Sequence, residues 1–421
     1  MRVGVIGAGI VGITSAYELA LDGHEVTVFE RRSAGAEEAS FANAGLLSPG
    51  TVAPWAKPGI TRHLISQLFN QQTSLRATLP LTAGDVGWLL KLLRASKPET
   101  YLANRGHMLR LARYSCERLQ QISDDLKLEY DYSAGSVVLL RSEKDSLSLQ
   151  PGLQVLREAG VSFSEISADE ARKIEPAINS DTPFFGALRL PDDHVANCRQ
   201  FALLLKAAAQ RLGVKFEFNT AVTRINRSPA ATIVIAGESQ PRQFERVVLC
   251  AGKAAAALLK PLGLRLPVAT VHGYSISAPI REPLNAPRSA VVDGRYQVII
   301  SRLGNRVRVA GSYGIGGDAD KHRAASLQML YKVLHDWFPG AAQHSNTGAS
   351  VQEWKGACAM LPDGPPLVGD SGISGLWLNA GHGDNGWLLS CGSARALADL
   401  MSGKPPAVDM SDFGTARPSM R

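Results

Sequence analysis

The chain has 421 residues, 45% of them hydrophobic and 20% charged, the balance of ordinary globular domains. Disorder, a collagen-like fibre and a disulfide miniprotein are excluded, and the length points to about two to three domains. Lys and Arg outnumber Asp and Glu by 45 to 38, a net +7 that directs attention to an anionic partner: a nucleic acid, a membrane surface or an acidic ligand.

Residues 3 to 7, Val-Gly-Val-Ile-Gly, read as a short buried strand that opens into Gly7-Ala8-Gly9-Ile10-Val11-Gly12. A helix with apolar period follows (Ile13, Ala16, Tyr17, Leu19, Ala20) and stops at Asp22-Gly23. A second strand, Glu25 to Phe29, ends in Glu30. Each part has a physical purpose. Gly7 permits the tight turn, Gly9 lets backbone approach a pyrophosphate, and Gly12 lets helix pack on strand. The helix start, with Ile10 and Val11, offers free N–H groups and a positive dipole end. Glu30, 18 residues after Gly12, is spaced to accept ribose hydroxyls and disfavours a 2′-phosphate, although Arg31 and Arg32 stand beside it. The pattern indicates a dinucleotide site. The small-residue stretch Ser40 to Gly50, with Asn43, Ala44, Gly45 and Leu46, would let a flat ring system lie against backbone, and so favours FAD over a nicotinamide.

Pro54 to Gly59 reads as a turn-rich loop. Residues 82–127 read as helical, with a Trp88, Leu89, Leu92, Leu93 stripe that is most simply core; a membrane-facing patch is the sharper alternative. Residues 135–190 mix short strands with helices near 152–158 and from Ala168. Leu190 to His194 leads into an amphipathic helix from Arg199 to Leu212, then a strand at Val214–Phe218 and a turn reaching Val222. Arg246 to Leu249 is a buried strand running into Cys250, Ala251 and Gly252. Short β-rich runs across 267–312, punctuated by Asp293-Gly294 and Gly304-Asn305, predict an antiparallel sheet. Such a sheet suits the wall of a substrate domain, to which His272, Tyr274, Tyr296 and Tyr313 would contribute polar groups.

Near the C-terminus, Gly375 to Ala380 reads as a strand. Gly381-His382-Gly383-Asp384-Asn385-Gly386-Trp387 then opens a small-residue helix. A helix start there favours negative charge on a reduced flavin. The polar, Pro-rich residues 404–421 predict a loose tail.

Over nearly its whole length, and on three motifs (Gly7–Gly12, Ser40–Gly50 and Gly381–Gly383), the sequence resembles the D-amino-acid dehydrogenase small-subunit family, within the D-amino-acid-oxidase-type flavoproteins. The resemblance implies tightly bound FAD and an α/β fold: a Rossmann-type FAD-binding domain (1–60, 190–265 and 345–421) interleaved with an antiparallel-sheet α+β substrate domain (61–189 and 266–344). It implies that Val222, Ala251, Gly252, Gly381, His382, Gly383, Asn385, Gly386 and Trp387 sit near the cofactor, with His382 positioning the flavin. It also implies oxidative deamination of a D-amino acid to an imine and 2-oxo acid, by hydride transfer to flavin N5. No metal and no protein nucleophile are required.

One departure bears on the substrate. Where the family carries an Arg that forks onto the substrate carboxylate, this chain has Cys358, and His272 stands where a Lys or Arg is common. A cyclic imino acid such as hydroxy-D-proline, a modified amino acid or an amine is therefore the alternative substrate. Cys358 itself reads as a buried inert thiol, with covalent attachment of the flavin the less favoured alternative. The five cysteines, Cys116, Cys198, Cys250, Cys358 and Cys391, are odd in number and lack a C-x-x-C, which argues against zinc or a disulfide framework and for a reducing cytoplasm. Signal-peptide features and apolar runs of membrane-spanning length are absent from the sequence. The expected partners are a small amine or amino acid and an electron acceptor, quinone or a chain component ahead of oxygen. Nucleic acid is excluded by the lack of a basic run or motif. The basic charge and the family's membrane association imply peripheral contact with the inner face of the plasma membrane.

Overall fold

A computed structural model describes residues 1–60, 75–78, 80–226, 231–316, 321–342 and 351–417. Two sheets organise them. The first has six strands, in the spatial order Leu367–Ile373, Leu376–Ala380, Arg246–Leu249, Arg2–Ile6, Glu25–Phe29 and Lys215–Glu217. Its strands run parallel except at the Leu367–Ile373 edge. The near-continuous apolar character of Arg2–Ile6 follows from burial on both faces. Val3, Val5, Val26 and Val28 face the helices Ile10–Leu21, Cys198–Arg211, Pro98–Leu126 and Gly386–Met401. Ile6, Phe29, Val247 and Leu249 face the other way, against a three-stranded sheet (Val222–Asn226, Ala231–Ile235, Arg242–Phe244) and the short helix Ala255–Leu259. This is the doubly covered, Rossmann-type layer expected from the glycine turn.

The second sheet has ten strands and is mainly antiparallel. Its main path runs Gln352–Met360, Ala269–Pro279, Arg306–Gly316, Val298–Leu303, Ala290–Asp293, Tyr132–Leu140, Gly186–Ala196 and Leu46–Leu47. Helix Ala324–Trp337 covers one face, where Trp337 and Phe338 are buried among Ile276, Val298 and Val309.

Several local readings differ from the sequence expectation. Strand pairing puts Gln352–Met360 in the larger sheet, although it lies within the 345–421 segment assigned to the dinucleotide layer. Leu46–Leu47 and the residues from 190 to 196 also pair there. A single chain crossing between sheets several times leaves little trace in composition, because both sheets need the same apolar strands. Residues 82–127 form two helices, Ala83–Ala95 and Pro98–Leu126, separated at the Lys97-Pro98 step. Trp88 and Leu92 pack against Val271 and Ile315, so the stripe is core. The 404–417 stretch is not loose: Val408, Met410 and Phe413 pack into the core under the first sheet, and Arg417 is buried. Its three apolar anchors are too widely spaced to register as an amphipathic period.

Candidate active site

Both sheets lead to one cavity of about 1540 Å³. That exceeds the range of about 300–1,000 Å³ typical for small ligands and leaves room for a dinucleotide with a substrate.

The dinucleotide end begins at the first glycine turn. Gly7, Gly9, Ile10 and Val11 line the cavity. A Cβ on Gly7, whose φ is +104°, would fall 2.6 Å from the Cys250 carbonyl oxygen; one on Gly12 would fall 1.9 Å from that of Gly7. Only glycine fits this crossing of two strands and a helix. Gly12 itself packs behind the cavity lining. Helix Ile10–Leu21 lacks a side-chain cap on Gly9, whereas Thr82, Ser142 and Ser167 each close a capping box on their helices. Apart from the Ile10 N–H, which Ser40 Oγ accepts, its first turn is thus left open toward the cavity, the arrangement that receives a phosphate.

Glu30 lines the cavity but is already engaged. Its Oε2 accepts from Ala8 N at 2.8 Å and its Oε1 from Arg32 N at 2.9 Å. Each oxygen keeps acceptor capacity, so the acid braces the turn and still faces the cavity. Arg31 and Arg32 pair with Glu38. Burial pushes the Glu38 carboxyl up, but the two guanidinium groups overcome this and hold it low.

The segment after the acid is held by its backbone. Ser40 Oγ accepts from Ile10 N at 3.0 Å. Ser275 donates to Ala42 O, Ser301 to Ala44 O and Arg308 to Asn43 O, so the larger sheet fixes the loop. Gly45, at φ +77°, donates its N–H to Asn43 Oδ1 at 3.1 Å. Ser40, Asn43, Ala44, Gly45 and Leu46 all line the cavity, as do Val222, Ala251 and Gly252. At the C-terminal motif, Gly381, His382, Gly383, Asn385, Gly386 and Trp387 complete the wall. His382 Nε2 meets Ser393 Oγ at 3.1 Å and its backbone bridges Met360. Burial lowers its pKa to about 3, so the imidazole is neutral and ties the turn to helix Gly386–Met401, while the backbone ties it to strand Gln352–Met360.

Beyond this cradle the cavity continues past Tyr274, Tyr313 and Cys358. The other two polar groups assigned to the substrate wall lie elsewhere. Tyr296 is in the core beside Trp337, with the Arg141 guanidinium 5.0 Å over its ring, and is not among the described residues lining the cavity. His272 is also outside that lining; it is buried with Nδ1 unpaired, and burial, then Lys355 and Lys253, lower its pKa. The strand alternation that brings Tyr274 inward is broken at His272/Tyr274, where the pairing with Arg306–Gly316 shifts register.

Other groups lining the cavity were not singled out by sequence reasoning. Asp193, buried, accepts from Ser48 Oγ at 2.7 Å and Ser136 Oγ at 2.6 Å, and burial raises its pKa to about 6. Trp55 Nε1 donates to Asp384 Oδ2 at 3.1 Å, and its ring meets Tyr313 edge-on at 5.1 Å. Lys57 and Arg105 are nearby cations. A turn-rich loop and a helix interior carry no motif for these roles; only the fold brings them together.

The family of FAD-dependent oxidoreductases designated DAO matches residues 2–400. The chain belongs to this family. FAD is its cofactor, and the glycine cradle, the open helix start and the length of the cavity fit it. Among relatives, the D-amino acid dehydrogenases of Cereibacter sphaeroides and Bradyrhizobium diazoefficiens are each 39% identical. The first match covers 99% of this chain and 95% of the relative, the second 98% and 97%. Among solved structures, glycine oxidase from Geobacillus kaustophilus superposes with a TM-score of 0.75 at 22% identity, covering 99% of this chain and 98% of that one. L-proline dehydrogenase from P. horikoshii gives 0.71 at 17%, covering 98% and 96%. The DAO oxidoreductase fold is thus shared at full length.

Proposed function

We propose that this flavoenzyme oxidises the carbon–nitrogen bond of a free D-amino acid, giving an imine that water converts to a 2-oxo acid and ammonia. The reading rests on one observation: a single cavity joins the dinucleotide cradle to a pocket walled by Tyr274, Tyr313 and Cys358, in a chain 39% identical to D-amino acid dehydrogenases over nearly its full length. Bound FAD supplies the acceptor for an electron pair. The α-hydrogen leaves with that pair, a proton leaves the nitrogen, and water adds to the imine carbon. The protein's part is to hold the substrate and exclude competing reactions. Tyr313 and Cys358 are kept protonated by burial, so neither acts as a base near neutral pH.

We propose further that a quinone accepts the electrons, at the inner face of the cytoplasmic membrane. Three features support this. The chain carries +7; Val86, Leu90 and Leu102 are exposed on neighbouring helices; and the five cysteines are free thiols, as in a reducing compartment. No helix among the described residues is long and apolar enough to cross a membrane, and the contact proposed is a peripheral one.

Anaerobic mixing of the FAD-loaded enzyme with D-amino, L-amino and cyclic imino acids and with simple amines tests the reaction, read as loss of flavin absorbance. D-amino acids are expected to bleach the flavin. Bleaching by amines lacking a carboxylate, and by nothing else, would refute the reading. Reduction of a soluble quinone and sedimentation with anionic vesicles test the acceptor and the contact.

A further inference from the structure

Three charged side chains gather at the substrate end of the cavity without mutual neutralisation. Lys57 sits on the loop Pro54–Ile60, and the loop is anchored. Pro54 packs so closely on Gly364 that a Cβ there would fall 2.7 Å from the Pro54 Cβ. Ala56 and Ile60 are buried beside Trp88 and Val271, and Trp55 is tied to Asp384. Lys57 is thereby presented to the cavity. Its ammonium has neither a hydrogen bond nor an ion pair among the described residues. Arg105, buried on helix Pro98–Leu126, also lines the cavity, and its only described hydrogen bond is a long one, Nη2 to Gly50 O at 3.3 Å. Desolvation opposes the charge of Lys57 most, Asp384 favours it through space, and the field of Arg105 acts against it. Two neighbouring cations with no anion in contact can receive one.

Asp384 is the counterpart. Its carboxylate accepts two neutral donors, Trp55 Nε1 at 3.1 Å on Oδ2 and Asn385 Nδ2 at 3.0 Å on Oδ1. A carboxylate has room for more. Lys57 acts on Asp384 through space, yet the two form no ion pair among the described residues. The other groups whose titration feels Asp384, Tyr313 and Cys358, are neutral. A half-buried carboxylate with no cation in contact is costly, and a cationic ligand group would reduce that cost.

We propose that Lys57, reinforced by Arg105, and Asp384 form a two-ended receptor for a zwitterion, in which Lys57 takes the α-carboxylate and Asp384 the α-ammonium. The inference rests on the amino-acid reading above and replaces the missing Arg at position 358 by a cation from a different loop. Asp384 also receives the proton that the ammonium must shed before the carbon–nitrogen bond is oxidised: an N–H bond breaks, an O–H bond forms, and the proton then passes to solvent.

Calorimetric titration of the FAD-loaded enzyme with three probes tests the receptor. 2-Aminoisobutyrate carries both charges but lacks an α-hydrogen and is not oxidised; its amide lacks the carboxylate, and isobutyrate lacks the amine. Loss of one charge-assisted contact should raise Kd roughly ten- to a hundredfold. Lys57→Gln is expected to weaken 2-aminoisobutyrate and isobutyrate by that factor and leave the amide unchanged. Asp384→Asn is expected to weaken 2-aminoisobutyrate and the amide and leave isobutyrate unchanged. Retained flavin and an unaltered melting temperature establish that both variants are folded. Uniform weakening across the probes, or no weakening, overturns the receptor, as does a wild-type enzyme that fails to prefer 2-aminoisobutyrate. If the probe pattern holds while D-alanine leaves the flavin oxidised, the receptor stands and the reaction assignment falls. Bleaching by D-alanine without the probe pattern removes the receptor alone.

Discussion

Glu30 Oε2 accepts the Ala8 backbone N–H at 2.8 Å, so the acid that ends the second strand reaches back across 22 residues to the turn that opens the first helix. The turn therefore owes its shape to a side chain as well as to its glycines. Glu30→Ala is expected to lower the unfolding free energy by about 2 kcal/mol, the scale of a hydrogen bond to a charged group, and to reduce the flavin bound per chain. Glu30→Gln keeps one acceptor oxygen and should fall between. Urea unfolding with flavin quantitation checks both; an Ala variant of unchanged stability and full flavin content would show that the brace carries no weight.

Thiol chemistry offers a second check. Burial pushes Cys116, Cys198, Cys250 and Cys358 up to about 12, and Cys391 higher still. Thiolate is the reactive form, so at pH 8 the native enzyme should react slowly with a disulfide reagent at every cysteine, and all five should react once it is unfolded. The same inertness at Cys358 predicts that FAD is released intact by acid precipitation. Flavin remaining on the peptide that contains Cys358 would contradict this.

The parts of the molecule that were legible in the sequence are those where one backbone requirement selects one residue type in a fixed register. Gly7 and Gly12 are such positions, because a Cβ would strike a carbonyl oxygen at either. The strand into which they are fixed is apolar for the equally local reason that both its faces are covered. The substrate end has no local signature. Lys57, Arg105, Asp193 and Asp384 come from a loop, a helix interior, a strand and a helix start. Each is unremarkable among its sequence neighbours, and their charges acquire meaning only in the cavity they share. Tyr296 shows the converse: a tyrosine beside a turn looks available for substrate, yet the turn folds it toward Trp337, where Arg141 covers it.

Asp193 predicts a pH dependence of stability. Its pKa rises from 3.8 to about 6 on folding, so the folded state holds the proton more tightly than the unfolded chain. Stability from this group is full below pH 4 and is lost as pH climbs through 6, by at most about 3 kcal/mol. Asp193→Asn cannot ionise, and the Ser48 and Ser136 hydroxyls can rotate to meet its amide. Its unfolding free energy should therefore fall less than that of the wild type between pH 4 and pH 7. Parallel urea titrations at the two pH values measure the difference, and equal slopes would remove Asp193 as the cause.

A buried ion pair anchors the C-terminal segment. Arg417 Nε lies 2.8 Å from Asp363 Oδ2, its Nη2 donates to Oδ1 at 3.0 Å, and its Nη1 donates to Pro366 O at 2.9 Å. Both side chains are buried, and the Asp363 carbonyl also accepts from Asn104. This fixes the loop that leaves strand Gln352–Met360 just beyond Cys358 and supports Gly364 beneath Pro54. Arg417→Ala leaves a buried carboxylate without its cation, and the expected cost is about 3–5 kcal/mol. Adding Asp363→Asn removes the orphaned charge and should recover part of that loss, a coupling that a double-mutant cycle reads directly. Because Pro54 rests on Gly364, the single variant should also weaken binding of 2-aminoisobutyrate while the flavin stays bound. If Arg417→Ala and the double variant are equally stable, the pair is a bystander and the segment is held by Phe413 and Met410 alone.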